Sequence, residues 1–265
     1  MVAVQEQTVS VWRNQINPKV HVAGSGPAVV FLHGAYGLTW DPFLDALAEQ
    51  FTVYAPEHPG TTLGDPDGVK ALDDLWDLVL YYDELFAQLG LDSPTVIGHS
   101  FGGMVASEIA ACYPQRVGKL VLLNPIGLWR DDAPVKNWMI LPMEEVVKAA
   151  FYDSSGPLAQ QMLTVPEDEK EAQDLQIRVT WSLACTGKFI WPIPDKGLKK
   201  RIHRIAAPTL IVWGTEDKLV PPAYAEEFGS RIAGSQIEMV EQAAHVPQLE
   251  QLERVSGLVR DFIQP

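Results

Sequence analysis

The chain has 265 residues, of which 47% are hydrophobic, with a formal net charge of −14 and two cysteines. That length allows one or two domains with a large core. The negative charge argues against nucleic acid or an anionic membrane surface as partner, and two cysteines are too few for a disulfide framework or a thiolate metal site.

No apolar segment follows a basic start, and no run reaches the ~18–20 apolar residues of a membrane span, so a soluble, cytoplasmic protein is expected. In chain order the pattern alternates strands and helices. Early strands are expected near Thr8–Trp12 and Lys19–Ala23, too close together for a crossover helix and therefore antiparallel. The apolar run Ala28–Leu32, bounded by Pro27 and by His33-Gly34, reads as a buried parallel strand ending in a loop. A helix over Asp41–Gln50, a strand over Thr52–Ala55, a helix over Val69–Leu89 and a strand over Thr95–Gly98 follow. Next come a helix over Phe101–Tyr113, with Cys112 expected as a buried free thiol, and a strand over Lys119–Leu123. The last elements are strands at Thr209–Trp213 and Gln236–Val240 with helices at Ala223–Ile232 and Pro247–Ile263. This alternation predicts an α/β fold with a mostly parallel, eight-stranded sheet and helices on both faces.

The interruption between the strands ending at Leu123 and beginning at Thr209 is too long for a simple connection. It carries helical patterns at Met143–Phe151 and Glu167–Cys185 and concentrates Trp129, Trp138, Trp181 and Trp191 with Met139, Met143, Met162 and Phe189. Most of these side chains are expected to pack within the segment, and some to face whatever it covers. The acidic tract Glu167–Glu171 reads as an exposed helix start, where carboxylates suit the dipole.

The most specific local signal is Thr95-Val96-Ile97-Gly98-His99-Ser100-Phe101-Gly102-Gly103. A strand that turns sharply into a helix holds the residue at the turn in strained geometry, and glycines at the flanking positions remove collisions with neighbouring backbone. The Ser100 hydroxyl then stands clear at the strand end. The amides just after it lie at a helix N-terminus, without intrahelical partners, and can face a developing oxyanion. The loop after Ala28–Leu32 can bring a second backbone N–H, that of Ala35. Two further strands end in chemically useful groups: Thr209–Trp213 runs into Glu216 and Asp217, and Gln236–Val240 runs into His245. In an open parallel sheet, the C-terminal edge is where sites assemble.

Together these segments resemble the serine hydrolases of the α/β-hydrolase superfamily over essentially the whole chain. The resemblance implies Ser100 as nucleophile, His245 as general base and Asp217 as the group that orients the histidine, with the backbone amides of Ala35 and Phe101 as oxyanion hole. It implies a core of residues 1–126 and 205–265 and a helical cap of residues 127–204. Tyr36, Trp138, Met139 and Val246 are the candidate substrate contacts. The substrate expected is a carboxylic ester of a small to medium apolar acyl or aryl group, and the chemistry requires no metal or organic cofactor. Asp217 is preferred to its neighbour Glu216 because Asp217-Lys218-Leu219-Val220-Pro221 fits the family's turn. Asn124, at the end of Lys119–Leu123, cannot serve as an anion.

Of the six histidines, His33 and His99 are expected to shape their turns, and His203 to lie on a solvated helix in the basic stretch Lys199–Arg204. His21 falls in an early strand and His58 in a loop. A serine at the elbow disfavours the relatives that use an aspartate nucleophile. Meta-cleavage-product C–C hydrolases share the triad but typically carry Asn before the nucleophile and Trp after the histidine, where this chain has His99 and Val246. C–C hydrolysis, lactonase and perhydrolase or haloperoxidase chemistry on the same triad are the alternatives, with a slow-turnover ligand receptor as a non-enzymatic one.

Overall fold

The computed structural model describes residues 2–63 and 65–264. Eight strands form one sheet: β1 (Gln5–Thr8), β2 (Lys19–Ala23), β3 (Ala28–Leu32), β4 (Thr52–Pro56), β5 (Thr95–His99), β6 (Lys119–Leu123), β7 (Thr209–Gly214) and β8 (Gln236–Val240). Their spatial order is β1-β2-β4-β3-β5-β6-β7-β8. The first two strands run antiparallel to each other and β2 is antiparallel to β4, whereas every pairing from β4 through β8 is parallel.

The central strands alternate strictly between two cores, as a period of two requires. Val30, Leu32, Val96, Leu120, Leu122, Ile211 and Trp213 face one helical layer. Val29, Phe31, Ile97, Val121, Leu123, Leu210 and Val212 face the other. The first layer is built from α2 (Leu75–Gln88), α3 (Phe101–Cys112) and α7 (Ala223–Gly229), which bury Tyr82, Ile109 and Phe228. The second comes from α1 (Pro42–Ala48) and the C-terminal α9 (Leu252–Ile263), which bury Phe43, Leu47, Val255 and Val259. Each such side chain stabilises the fold by about 1.5–3 kcal/mol relative to exposure, and having both faces covered explains why the parallel strands read as continuous apolar runs.

Between β6 and β7 the chain inserts α4 (Met143–Ala150), α5 (Pro157–Leu163) and α6 (Glu169–Ile190). The acidic tract does start a helix: Asp168 caps α6 by accepting from the Glu171 amide at 2.9 Å. The other end of α6 is buried and packs over the loops at the C-terminal edge of the sheet. Phe189 stacks on Phe101 with ring centroids 6.4 Å apart, and the Thr186 hydroxyl approaches the Ala35 carbonyl at 3.5 Å. Among the described residues no helix is long and apolar enough to cross a membrane.

Several sequence expectations are corrected. The first strand is Gln5–Thr8 rather than Thr8–Trp12, because Trp12, Arg13 and Asn14 adopt left-handed backbone (φ 54–64°) and turn the chain between Val11 and Ile16. The helix expected over Val69–Leu89 begins at Leu75, after Asp74, whose carboxylate accepts the Trp76 and Asp77 amides and starts the helix there. The C-terminal helix is broken at Gln251 into α8 (Pro247–Glu250) and α9. The basic stretch Lys199–Arg204 forms 3-10 turns, not a solvated helix. There His203 is exposed, whereas Arg201 reaches in to make a bidentate pair with the fully buried Glu108 at 2.6 and 2.7 Å. Cys112 is half-buried, and both cysteines are free thiols.

Candidate active site

The turn from β5 into α3 holds Ser100 at φ 53°, ψ −114°, a conformation that costs about 1–3 kcal/mol for a residue with a side chain. The surroundings enforce it. A Cβ on Gly98 would overlap the Gly102 carbonyl, and one on Gly102 would overlap the Leu32 carbonyl, so the elbow packs against β3 only with glycine at both positions.

The structure brings Ser100, Asp217 and His245 together from the ends of β5, β7 and β8. Ser100 Oγ lies 2.9 Å from His245 Nε2, and His245 Nδ1 lies 2.8 Å from Asp217 Oδ2. A carboxylate only accepts, so Nδ1 carries the ring proton and Nε2 is left to accept from the serine hydroxyl. All three residues are buried, but Ser100 and His245 each keep 5% of their surface exposed. Asp217 Oδ1 accepts the amides of Leu219 (2.8 Å) and Val220 (2.9 Å), closing the turn that ends in Pro221. Its neighbour Glu216 is exposed, and among the described residues the carboxylate that pairs with His245 is that of Asp217.

Asn124 completes the acid's environment. Its side-chain amide donates to Asp217 Oδ2 at 2.6 Å and to the Ala244 carbonyl at 3.2 Å, while its oxygen accepts the Gly214 amide at 3.4 Å. From sequence Asn124 is only a residue that cannot serve as an anion; its place just after β6, beside the strand that leads to Asp217, is the one signal of these contacts.

Ala35 and Phe101, the expected oxyanion donors, are both buried, and neither amide donates to another group among the described residues. The loop that carries Ala35 is held from behind. His33 Nε2 accepts the His58 amide at 3.0 Å, so its Nδ1 bears the proton and donates to the Gly34 carbonyl at 2.7 Å. That carbonyl belongs to the same planar peptide as the Ala35 N–H, so fixing one end sets the direction of the other. His58 in turn donates from Nε2 to the His33 carbonyl at 2.8 Å and accepts the Tyr82 hydroxyl at Nδ1. Burial pushes the His33 pKa well below its usual value, with His58 adding to the effect, and brings His58 down to about 4. His99, brought down to about 3 by burial and the neighbouring His245, donates from Nε2 to the His245 carbonyl at 2.8 Å. These three histidines are therefore neutral structural groups, in line with the turn-shaping role expected of His33 and His99.

The expected substrate contacts fall in two places. Tyr36 and Val246 are half-buried beside Ala35 and His245, and burial pushes the Tyr36 phenol up to about 12. Trp138 and Met139 instead line a cavity of about 210 Å³ with Trp129, Ile190, Trp191 and Ile193, and that lining includes none of Ser100, Asp217 and His245. The side chains that α6 does bring over the elbow and the Ala35 loop are Ser182, Thr186 and Phe189, of which only Phe189 was singled out from sequence. Among the described residues no cluster of His, Cys, Asp and Glu has metal-binding geometry.

Residues 29–258 match the alpha/beta hydrolase family. A 2-hydroxy-6-oxo-6-phenylhexa-2,4-dienoate hydrolase of Burkholderia cepacia is 26% identical over 284 aligned residues, covering 99% of this chain and 95% of the relative. A pimeloyl-[acyl-carrier protein] methyl ester esterase of Neisseria meningitidis is 26% identical over 246 residues, covering 89% and 92%. Among solved structures, the 2-hydroxy-6-oxo-6-phenylhexa-2,4-dienoate hydrolase of Rhodococcus sp. strain RHA1 superposes with a TM-score of 0.76 at 20% identity, over 100% of both chains.

Proposed function

The chain belongs to the alpha/beta hydrolase family, and we propose that it is a serine hydrolase that cleaves carboxylic esters of small to medium apolar acyl or aryl groups through an acyl-enzyme on Ser100. The observation that carries this reading is the continuous hydrogen-bonded line Ser100–His245–Asp217, at 2.9 and 2.8 Å. In the proposed cycle the Ser100 hydroxyl attacks the ester carbonyl as His245 Nε2 takes its proton, and the oxyanion is received by the amides of Ala35 and Phe101. The tetrahedral adduct collapses, His245 returns the proton to the departing alkoxide, and water repeats the sequence on the acyl group. Asp217 keeps the imidazole in the tautomer that leaves Nε2 free and stabilises the charged form. Residues 127–204 serve as a cap, with Phe189 and Thr186 at its inner face, and the substrate is a small molecule with an apolar acyl or aryl group.

A second reading, hydrolysis of a C–C bond in a vinylogous keto acid, is favoured by the similarity to the Burkholderia dienoate hydrolase over 99% of the chain. His99 before the nucleophile and Val246 after the histidine support the ester reading instead. Parallel assays on p-nitrophenyl esters and on a 2-hydroxy-6-oxo-dienoate decide between them. The ester reading expects steady ester turnover with kcat/KM above that for the dienoate, and the opposite ratio assigns C–C hydrolysis. A burst that stalls points to a slow-turnover receptor.

A further inference from the structure

The backbone around His245 is held at every polar group from the Ala243 carbonyl to the His245 carbonyl. Three of the partners belong to the sheet and its loops: the Glu216 amide donates to the Ala243 carbonyl at 3.0 Å, Asn124 to the Ala244 carbonyl and His99 to the His245 carbonyl. The other two tie the loop to the inserted segment. The His245 amide donates to the carbonyl of Ala150, the last residue of α4, at 2.9 Å. The Ala244 amide donates to Glu250 Oε2 at 2.6 Å, and the other oxygen of the same carboxylate accepts the Tyr152 amide, just past α4, at 2.7 Å.

The end of α4 also meets the acid's loop, where the Lys218 amide, next to Asp217, donates to the Ala149 carbonyl at 3.1 Å. The last four carbonyls of a helix have no partner within it. Here two of them are satisfied by amides that adjoin the base and the acid. Glu250 closes α8, and the helix breaks at Gln251 (φ −127°, ψ 53°) directly after it. Two N–H donors converge on its carboxylate, one from each side, an arrangement that needs two acceptor oxygens.

We propose that Glu250 is a positioning residue for His245 and that α4 is a fixed part of the catalytic frame, so that displacing α4 dismantles the triad. This rests on the triad reading given above and adds to it a mechanical link between the insertion and the chemistry. Glu250 touches no reacting atom; it acts through Ala244. A glutamine at this position keeps the shape but offers one acceptor, and its NH₂ then faces a backbone N–H.

The test is Glu250→Gln in the full chain, followed by four readouts: the melting temperature, the rate of Ser100 labelling by a fluorophosphonate, kcat and KM on a p-nitrophenyl ester, and the downfield proton resonance of His245 Nδ1–H. The expected result is a folded variant in which labelling and kcat fall by on the order of 10²-fold while KM changes little, with the downfield resonance lost or broadened. A folded variant with wild-type labelling, kcat and resonance overturns the proposal. Should the variant not fold, amide hydrogen exchange on the wild type carries the same question. The amides of His245 and Lys218 are expected to open together with that of Phe151, which closes α4, and protection of the first two persisting after α4 has opened overturns the link. Absence of labelling at Ser100 in the wild type is a separate failure, that of the triad reading, and leaves the exchange result informative.

Discussion

Asn124 donates a hydrogen bond of 2.6 Å to Asp217 Oδ2, the same oxygen that faces His245 Nδ1. The Asp217 carboxylate is thus held by a residue 93 positions earlier in the chain, at the end of the neighbouring strand. Asn124 itself sits at φ 43°, and its amide joins two segments, the end of β7 with its following loop (Gly214 and Asp217) and the loop after β8 (Ala244).

Asn124→Ala should therefore lower kcat/KM by about ten- to a hundred-fold, since a hydrogen bond to a charged group contributes about 1.5–3 kcal/mol. It should also lower the melting temperature, because the Gly214 amide and the Ala244 carbonyl each lose a buried partner. Ester kinetics and a thermal melt check both; a variant with wild-type kinetics means that Asp217 is held by its turn alone.

Asp217→Asn should reduce kcat by on the order of 10⁴-fold, because the amide can present a donor to His245 and favour the wrong tautomer. Glu216→Gln should stay close to wild type, since Glu216 is exposed and the carboxylate paired with His245 is that of Asp217. Steady-state rates of the two variants rank them, and the reverse order would move the acid by one residue.

His33→Ala removes the donor that fixes the Gly34 carbonyl and with it the direction of the Ala35 N–H. The loss should be seen in kcat rather than KM and reach about 10²–10³-fold, the effect of losing one oxyanion donor. Affinity for a boronic acid that mimics the tetrahedral adduct should fall in parallel, and unchanged boronate affinity would show that Ala35 is not a donor.

Stability should decline as the pH falls from about 6.5 to 4. His33, His58 and His99 are held neutral by burial, with His58 at about 4 and His99 at about 3. Below the unfolded-state value near 6.5, the unfolded chain binds protons that the folded chain excludes, so this contribution is complete above about pH 6.5 and is lost on acidification. For His58 alone it amounts to about 3 kcal/mol. Asp41, pushed up to about 6 by burial, and Glu108 and Glu250, raised by burial, work in the opposite sense, but their shifts are smaller than those of the three histidines. Melting temperatures from pH 8 to pH 4 check the slope, and histidine resonances of these residues that titrate near 6.5 would contradict it.

The sequence was readable where the cause is local. The elbow follows from Gly98 and Gly102, whose neighbours leave no room for a Cβ, and the runs Lys19–Ala23, Ala28–Leu32, Lys119–Leu123 and Gln236–Val240 match β2, β3, β6 and β8 residue for residue. It was not readable where distant contacts decide. β1 is a polar edge strand, exposed at all four residues, that exists only through pairing with β2. The break at Gln251 adjoins Glu250, whose partners lie at Ala244 and Tyr152. The tryptophans stand out in the sequence as bulky apolar residues, but composition carries no information on which face they line. Trp138 and Met139 border a cavity apart from Ser100, whereas Phe189 stacks on Phe101.

The acyl-enzyme on Ser100 is tested most directly by rapid acid quench of the protein turning over a p-nitrophenyl ester, followed by mass spectrometry of its peptides. An acyl group, no more than one per chain, is expected on the peptide that contains Ser100, with no adduct in Ser100→Ala and slower formation in Asp217→Asn. An acyl group on any other residue, or steady turnover by Ser100→Ala at the wild-type rate, would contradict it.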